Sequence, residues 1–301
     1  MADLPSRALV LYGDGLANFV DSSHVHLHSL ASKASCGFLS LPNAPPSETE
    51  DERIVREFAL LMDSWDAAYK GTNNASTPSI SDRFVGMKAA IVTKNPSLKS
   101  FGVKLGFTVL PSDDVSSDSM GLELMKLLGF QQGNVVDTNQ FDLVFVHMGA
   151  GEREGGDKDD FGAKTVAFID SLVAAIMNAA QPGSAIGSRL HLSLVMSYGS
   201  VSEINSAETS VLISNNELNP KLLGLFPRQS YTMRGEQPRP DVRHNGPMLV
   251  AQLQYAVTRM DKAQVFAFKD FKEHGGNLVI PADRFLHEVA FKLWKAPKYG
   301  A

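Results

Sequence analysis

With 301 residues, 44% hydrophobic and 20% charged, the chain is long enough for one large α/β domain and apolar enough for a sizeable core. Its formal net charge of -5 and the absence of a long basic run argue against a nucleic-acid partner, because neutralising phosphates takes clustered Lys and Arg. A single cysteine, Cys36, excludes an intrachain disulfide. Together with the lack of a signal core and of any apolar run near the ~20 residues of a membrane span, it implies a soluble cytoplasmic protein with nuclear access and no membrane partner.

In chain order, "ALVLYGDG" reads as a buried strand whose exit turn carries Asp14. "HLHSLASKASCGFLSL" reads as a short helix and then a second strand. After a proline-rich loop holding Ser47, the residues Ile54, Val55, Phe58, Leu61 and Met62 recur at helical spacing behind an acidic first turn, which suits the helix dipole. "MKAAIVTK" is a strand, "SLKSFGVKLGF" a helix ended by Gly106, "TVL" the start of a strand and "MGLELMKLLGF" a helix. "FDLVFVHM" is a strand, "KTVAFIDSLVAAIMNAA" a strong helix, and "LHLSLVMSYG" another strand. Residues 202–241 read as long loops and "GPMLVAQLQYAVTRM" as mixed. "VFAFKDF" reads as strand then turn, and "PADRFLHEVAFKLWKA" as a closing helix. The alternation predicts an α/β fold with a mostly parallel central sheet and helices on both faces. It forms one domain over 1–301, in which residues 81–140 are the candidate for an inserted cap.

The stretch "FDLVFVHMGAGEREGGDKDDFGAK" concentrates the chemistry. A strand ends in His147, and a loop rich in glycine and acid leads into a helix, the kind of exit where open α/β sheets bind ligands. Glu152, Glu154, Asp157, Asp159 and Asp160 are oxygen donors that Mg²⁺ or Ca²⁺ accepts; the alternative is a solvated loop with Asp159 or Asp160 at a helix start. His24, His26 and His28 would share one face of a strand but splay apart as helix-capping groups. Arg83, Arg153, Arg234 and Arg243 are candidate anion contacts, since guanidinium binds phosphate bidentately. Cys36 has no evident activating neighbour and is expected to be a structural thiol.

Taken in order, "LVLYGDGLA", "LHSLASKASCGFLSL", "SDRFVGMKAAIVTKNPSLKSFGVKLGFTVL", the His147 stretch, "LHLSLVMSYGSV" and "PDVRHNGPMLV" resemble segments of the alkaline phosphatase superfamily, in particular the archaeal type of cofactor-independent phosphoglycerate mutase. The resemblance implies that Asp14 matches a metal-binding Asp and His244 a late metal-binding His. Ser47 falls on the nucleophilic serine, with Pro46 where the family has Gly. Glu152 falls on a metal-binding Asp, Gly156 on a metal-binding His, and Ser197 and Tyr198 on an Asp-His pair. His147 corresponds to a supporting His, and Asp170 to a structural Asp of the following helix.

Family chemistry uses two close cations, one activating the serine alkoxide and both stabilising the transferring phosphoryl group. Three ligand positions are altered here. Asp14, Glu152 and His244 are too few to offset the repulsion of two dications, so at most one divalent cation (Mg, Mn or Zn) is expected. The sequence therefore favours a pseudoenzyme with a degenerate metal site, binding a small anionic ligand or a protein partner, with His147, Arg83 and Arg243 as supporting or anion-binding groups. The alternative is a diverged phosphatase- or phosphomutase-like hydrolase that uses Ser47 and one metal on a small phosphorylated or anionic substrate.

Overall fold

A computed structural model describes residues 5–65, 78–112, 115–136, 138–149, 158–200, 207–211, 231, 233–234, 237–276 and 279–296. Strand β1 (Arg7–Asp14) is buried along its whole length. It leads through a single 3-10 turn to helix α1 (Val25–Ala31) and strand β2 (Ser35–Pro42). Helix α2 (Glu50–Leu61) follows the proline-rich loop. The short helix α3 (Ile80–Arg83), strand β3 (Ala89–Val92), helix α4 (Pro96–Lys104), strand β4 (Thr108–Leu110) and helix α5 (Ser117–Leu127) come next. A small hairpin, β5 (Phe130–Gln131) and β6 (Asn134–Val135), precedes strand β7 (Leu143–Gly149) and helix α6 (Lys158–Ala179). Helix α7 (Ala185–Arg189) and strand β8 (Leu190–Met196) lead to a second hairpin, β9 (Met233–Arg234) with β10 (Gln237–Pro238). The chain closes with strand β11 (Val242–Leu253), helix α8 (Phe268–His274), strand β12 (Val279–Pro281) and helix α9 (Phe285–Lys292).

Eight strands form one sheet in the order β12-β2-β11-β8-β1-β7-β3-β4. All neighbours are parallel except β11, which runs antiparallel to both β2 and β8. Helices cover both faces, as expected for a mostly parallel sheet. Helices α1, α5, α6 and α8 bury Leu27, Leu30, Leu124, Ile169, Val173 and Phe271 on one face. Helices α2, α3, α4 and α9 bury Phe58, Ile80, Leu98, Phe285 and Val289 on the other. Within residues 81–140, β3 and β4 extend this main sheet, and the β5–β6 hairpin stands apart from it. No helix among the described residues is long and apolar enough to cross a membrane.

Two sequence expectations change. "VFAFKDF" is not a strand: helix α8 starts at Phe268, where Phe268 and Phe271 share a buried face and Asp270 accepts the backbone N–H groups of Gln264 and Val265 at 2.6 and 2.9 Å. Of the segment 246–260 read as mixed, the part up to Leu253 belongs to one long strand that begins at Val242, and turns follow it. Pro247 interrupts its register with β2, and pairing resumes at Met248. Two of the three histidines before β2 accept backbone N–H groups. His24 Nδ1 accepts from Asp21 N–H at 3.1 Å, and His28 Nδ1 accepts from Phe266 N–H at 3.1 Å. Asp170 on α6 accepts the N–H groups of His26 and Leu27, capping α1. Cys36 is buried, and that burial pushes its thiol up to about 12.

Helix α2 begins at Thr49, whose hydroxyl accepts the Glu52 N–H while the Glu52 carboxylate accepts the Thr49 N–H at 2.8 Å, a complete capping box. Replacing Thr49 by Ala is expected to cost about 1 kcal/mol, measured as a lower urea midpoint at unchanged slope.

Candidate functional site

The strand ends opposite α2 carry the polar groups. Side chains alternate along a strand, so Tyr12 and Asp14 on β1, His147 on β7 and Ser197 just after β8 all point to the face that α2 covers. The loops that follow β1 and β8 come close together: Gly15 and Gly199 both have positive φ, and a Cβ on Gly199 would lie 3.3 Å from the Gly15 Cα. This approach lets the Ser197 hydroxyl accept the Gly15 N–H at 2.9 Å and donate to Asp14 Oδ1 at 3.0 Å.

Asp14 is 2% exposed, and a guanidinium holds both of its oxygens. Arg53 Nη1 donates to Oδ1 at 2.8 Å and Nη2 to Oδ2 at 2.9 Å, the forked geometry that suits Arg to carboxylate. Arg53 also donates through Nε and Nη2 to Glu50, at 3.0 and 2.7 Å, and through Nη1 to Glu57 at 3.0 Å. All five of its N–H donors therefore end on three carboxylates. The Tyr12 hydroxyl lies 3.0 Å from Glu57 Oε2 and 3.2 Å from Asp14 Oδ1. His147 is fixed by Thr93 Oγ1 at 3.0 Å from its Nδ1, and its Nε2 stands 3.9 Å from Asp14 Oδ2.

Charge sets the protonation here. Burial alone would raise the Asp14 carboxyl, but the charged and hydrogen-bonded Arg53 guanidinium, helped by the nearby His147, outweighs it and holds the group well below the usual carboxylate range. Burial raises Glu57, only partly opposed by Arg53, and its net shift is upward. Burial likewise lifts Tyr12 well above the ordinary phenol range, so it stays protonated.

Beside this cluster lies a cleft of about 430 Å³, lined by the loop from Asn43 to Pro46, by Glu48, Thr49 and Glu50, and by Arg53, Ser200 and Arg243. Arg243 is 5% exposed. Its Nη2 donates to the Gly246 carbonyl, but among the described residues Nε and Nη1 have no hydrogen-bond partner; Glu57 Oε1 is 3.9 Å from Nη1. Burial lowers the Arg243 pKa, with Glu57 opposing. Its neighbour Arg56 is fully buried and tied to Glu48 at 2.5 and 2.9 Å.

The other residues singled out from the sequence lie as follows. Ser47 is exposed in a turn, between the cleft-lining Pro46 and Glu48. His244 Nε2 faces the Arg239 carbonyl at 2.9 Å. Arg83, at the end of α3, is tied to the Met62 carbonyl and to Asp63 just after α2, away from the cleft. Arg234 is exposed on β9. Glu152, Arg153, Glu154, Gly156 and Asp157 lie outside the described residues.

The described residues do not fit a pair of metal ions. Both Asp14 oxygens are engaged by Arg53, and Ser197 offers a hydroxyl. Tyr198 is a phenol pushed by burial up to about 12. No group of three or more His, Cys, Asp or Glu is arranged to hold a metal among the described residues.

Sequence reasoning picked out Asp14, His147 and Arg243, which meet at this edge, and missed Arg53, Glu57 and Tyr12. The sequence shows only that Glu50, Arg53 and Glu57 share one helical stripe on α2; that Arg53 and Glu57 are buried is visible in the structure alone.

The fold settles the comparison with known proteins. Over 99% of both chains the structure is similar to the PH0037 protein from Pyrococcus horikoshii, at a TM-score of 0.55 and 10% identity. It is similar to the lipoteichoic acid synthase LtaP from Listeria monocytogenes (TM-score 0.52, 10% identity), over 99% of this chain and 74% of that one. It also resembles the cofactor-independent phosphoglycerate mutase from Thermoplasma acidophilum (TM-score 0.50, 9% identity), over 94% and 98% of the two chains. The chain has an alkaline-phosphatase-like fold. At these identities the likeness concerns the fold alone. No protein-family model matches the sequence, and no curated protein matches it. Within the alkaline-phosphatase-like sheet, Asp14 stands at the tip of the central strand β1, and its counter-charge is a side chain of the same chain.

Proposed function

We propose that this alkaline-phosphatase-like protein is a pseudoenzyme whose metal site is degenerate and whose cleft binds a small anion. The carrying observation is Arg53. Its guanidinium supplies, through a covalent tether, the positive charge that Asp14 would otherwise draw from a dication, and it occupies both carboxylate oxygens in doing so. A tethered monocation with every donor engaged can neither activate a serine nor polarise a phosphoryl oxygen as a Lewis acid does. Arg243 supports the second half of the reading. A buried guanidinium whose Nε and Nη1 have no hydrogen-bond partner among the described residues, with only the distant Glu57 as counter-charge, is costly without a further acceptor, and an incoming anion provides one.

The test is a thermal shift series on the full chain. Mg²⁺, Mn²⁺ and Zn²⁺ at about 5 mM are expected to leave Tm unchanged, while sulfate or phosphate raises it by mass action. Arg243→Gln should remove the anion response. A metal-dependent rise in Tm that disappears in Asp14→Asn, accompanied by phosphatase activity lost in Ser47→Ala, would instead establish the one-metal hydrolase.

A further inference from the structure

The sheet face that packs against α2 and α9 changes character towards the edge opposite Asp14. Near that residue its inward side chains are apolar or aromatic: Val10 and Tyr12, Val195, Met248 and Val250, Leu39 and Leu41. Two rows away, the same alternation brings Ser6, His191, Ser193, Gln252, Gln254 and Ser35 onto this face. Ser193 is fully buried and His191 is 1% exposed. Polar groups in such a place are unfavourable unless they are bonded. Gln254 is held by Ser6 Oγ and the Ser188 carbonyl at 2.7 and 2.9 Å, and Ser193 Oγ meets His191 Nε2 at 3.3 Å. His191 Nδ1 has no hydrogen-bond partner among the described residues.

A cavity of about 230 Å³ opens over this polar floor, lined by Ser35, His191 and Gln252 together with Thr258, Arg259, Glu288 and Lys292; Arg259 is tied through Nε to Asp261 at 2.6 Å. Glu288 and Lys292 stand one turn apart on α9, and neither joins an ion pair among the described residues. A second chamber of about 60 Å³, lined by Phe38, Val250, Ile280 and Phe285, adjoins it through Gln252 and Glu288. One water needs about 10–15 Å³ on this measure, so the chamber has room for about 4–6 atoms of that size. Opposite charges around a polar cavity, with a small apolar annex beside the negative one, describe the shape of a ligand.

We infer that this cavity is a second binding site, for a small aliphatic α-amino acid: carboxylate on Lys292, ammonium against Glu288, and the branched hydrocarbon arm in the apolar chamber. Thr258 and His191 offer the remaining hydrogen-bonding groups. The site lies at the sheet edge opposite the Arg243 cleft and is independent of the anion-binding reading.

Thermal shift and calorimetric titration of the full chain with L-valine test it. Valine is expected to raise Tm in a dose-dependent way. Isovalerate, which lacks the ammonium, and isobutylamine, which lacks the carboxylate, should bind at least about tenfold more weakly, one charged contact being worth about that much. Lys292→Gln and Glu288→Gln should each weaken valine about tenfold, while Arg243→Gln leaves the valine response intact. The inference is overturned if valine produces no response on folded protein, if isovalerate or isobutylamine equals it, or if both α9 variants keep the full response.

Discussion

Replacing Arg53 by methionine is expected to destabilise the protein by roughly 3–5 kcal/mol, the usual cost of removing one partner from a buried ion pair. The side chain is 3% exposed, and its loss strands Asp14 and Glu57, which are 2% and 0% exposed, without their cation. The cost comes chiefly from those carboxylates rather than from lost attraction, so Arg53→Met combined with Asp14→Asn should be less destabilised than the two single changes added together. Urea titrations of the parent, both single variants and the double variant measure this coupling; strict additivity would refute it. Arg53→Ala offers a second readout. Asp14 Oδ1 and Glu57 Oε2 both point at the position of Nη1, and His147 stands close by. Truncation should therefore leave a vacancy that Mn²⁺ fills, with a Mn²⁺-dependent rise in Tm that the parent lacks.

His191 should make the protein acid-sensitive well above the carboxylate range. Burial lowers its pKa to about 4, with the nearby Lys292 adding to the effect and Gln254 opposing it. An unfolded histidine titrates near ~6.5. Between those two values the unfolded chain binds a proton that the folded chain refuses, so this contribution is complete above pH ~6.5 and is lost as pH falls towards about 4. The span corresponds to about 3 kcal/mol. Asp14, with its depressed pKa, adds a loss only at lower pH, and Glu57, with its raised pKa, contributes in the opposite sense by losing stability as pH rises. The difference in unfolding free energy between the parent and His191→Gln removes those common terms. It should shrink steadily from pH 7 to pH 4, and a flat difference would refute the assignment.

The fold was largely legible because β1, β2, β3, β7 and β8 are short apolar runs between turn residues, and α5 and α6 keep a helical period. Segment 265–271 was misread because Phe266 and Phe268 alternate as in a strand while Phe268 and Phe271 are spaced for a helix, and the Asp270 contacts to the preceding backbone resolve the choice. At the site, Asp14 and His147 could be placed because each ends a strand at the ligand-binding edge. Arg53 could not. On α2 it looks like a solvated charge, and its meaning depends on a carboxylate 39 positions earlier that only the packing of helix on sheet brings to it. Ser197 was read as a lost ligand, and the structure gives it a positive role, as a hydroxyl orienting the same carboxylate.

The order of the strands also bears on how the chain is made. β1 emerges early, yet its neighbours are β7 and β8, and Arg7 pairs with Leu190. At about 5–20 residues per second, a ribosome takes roughly 10–40 s to deliver that last partner. β2 waits longer still, for β11. Two largely apolar segments of the nascent chain thus spend that interval without the strands that will flank them, which makes this protein a natural client for chaperones during synthesis.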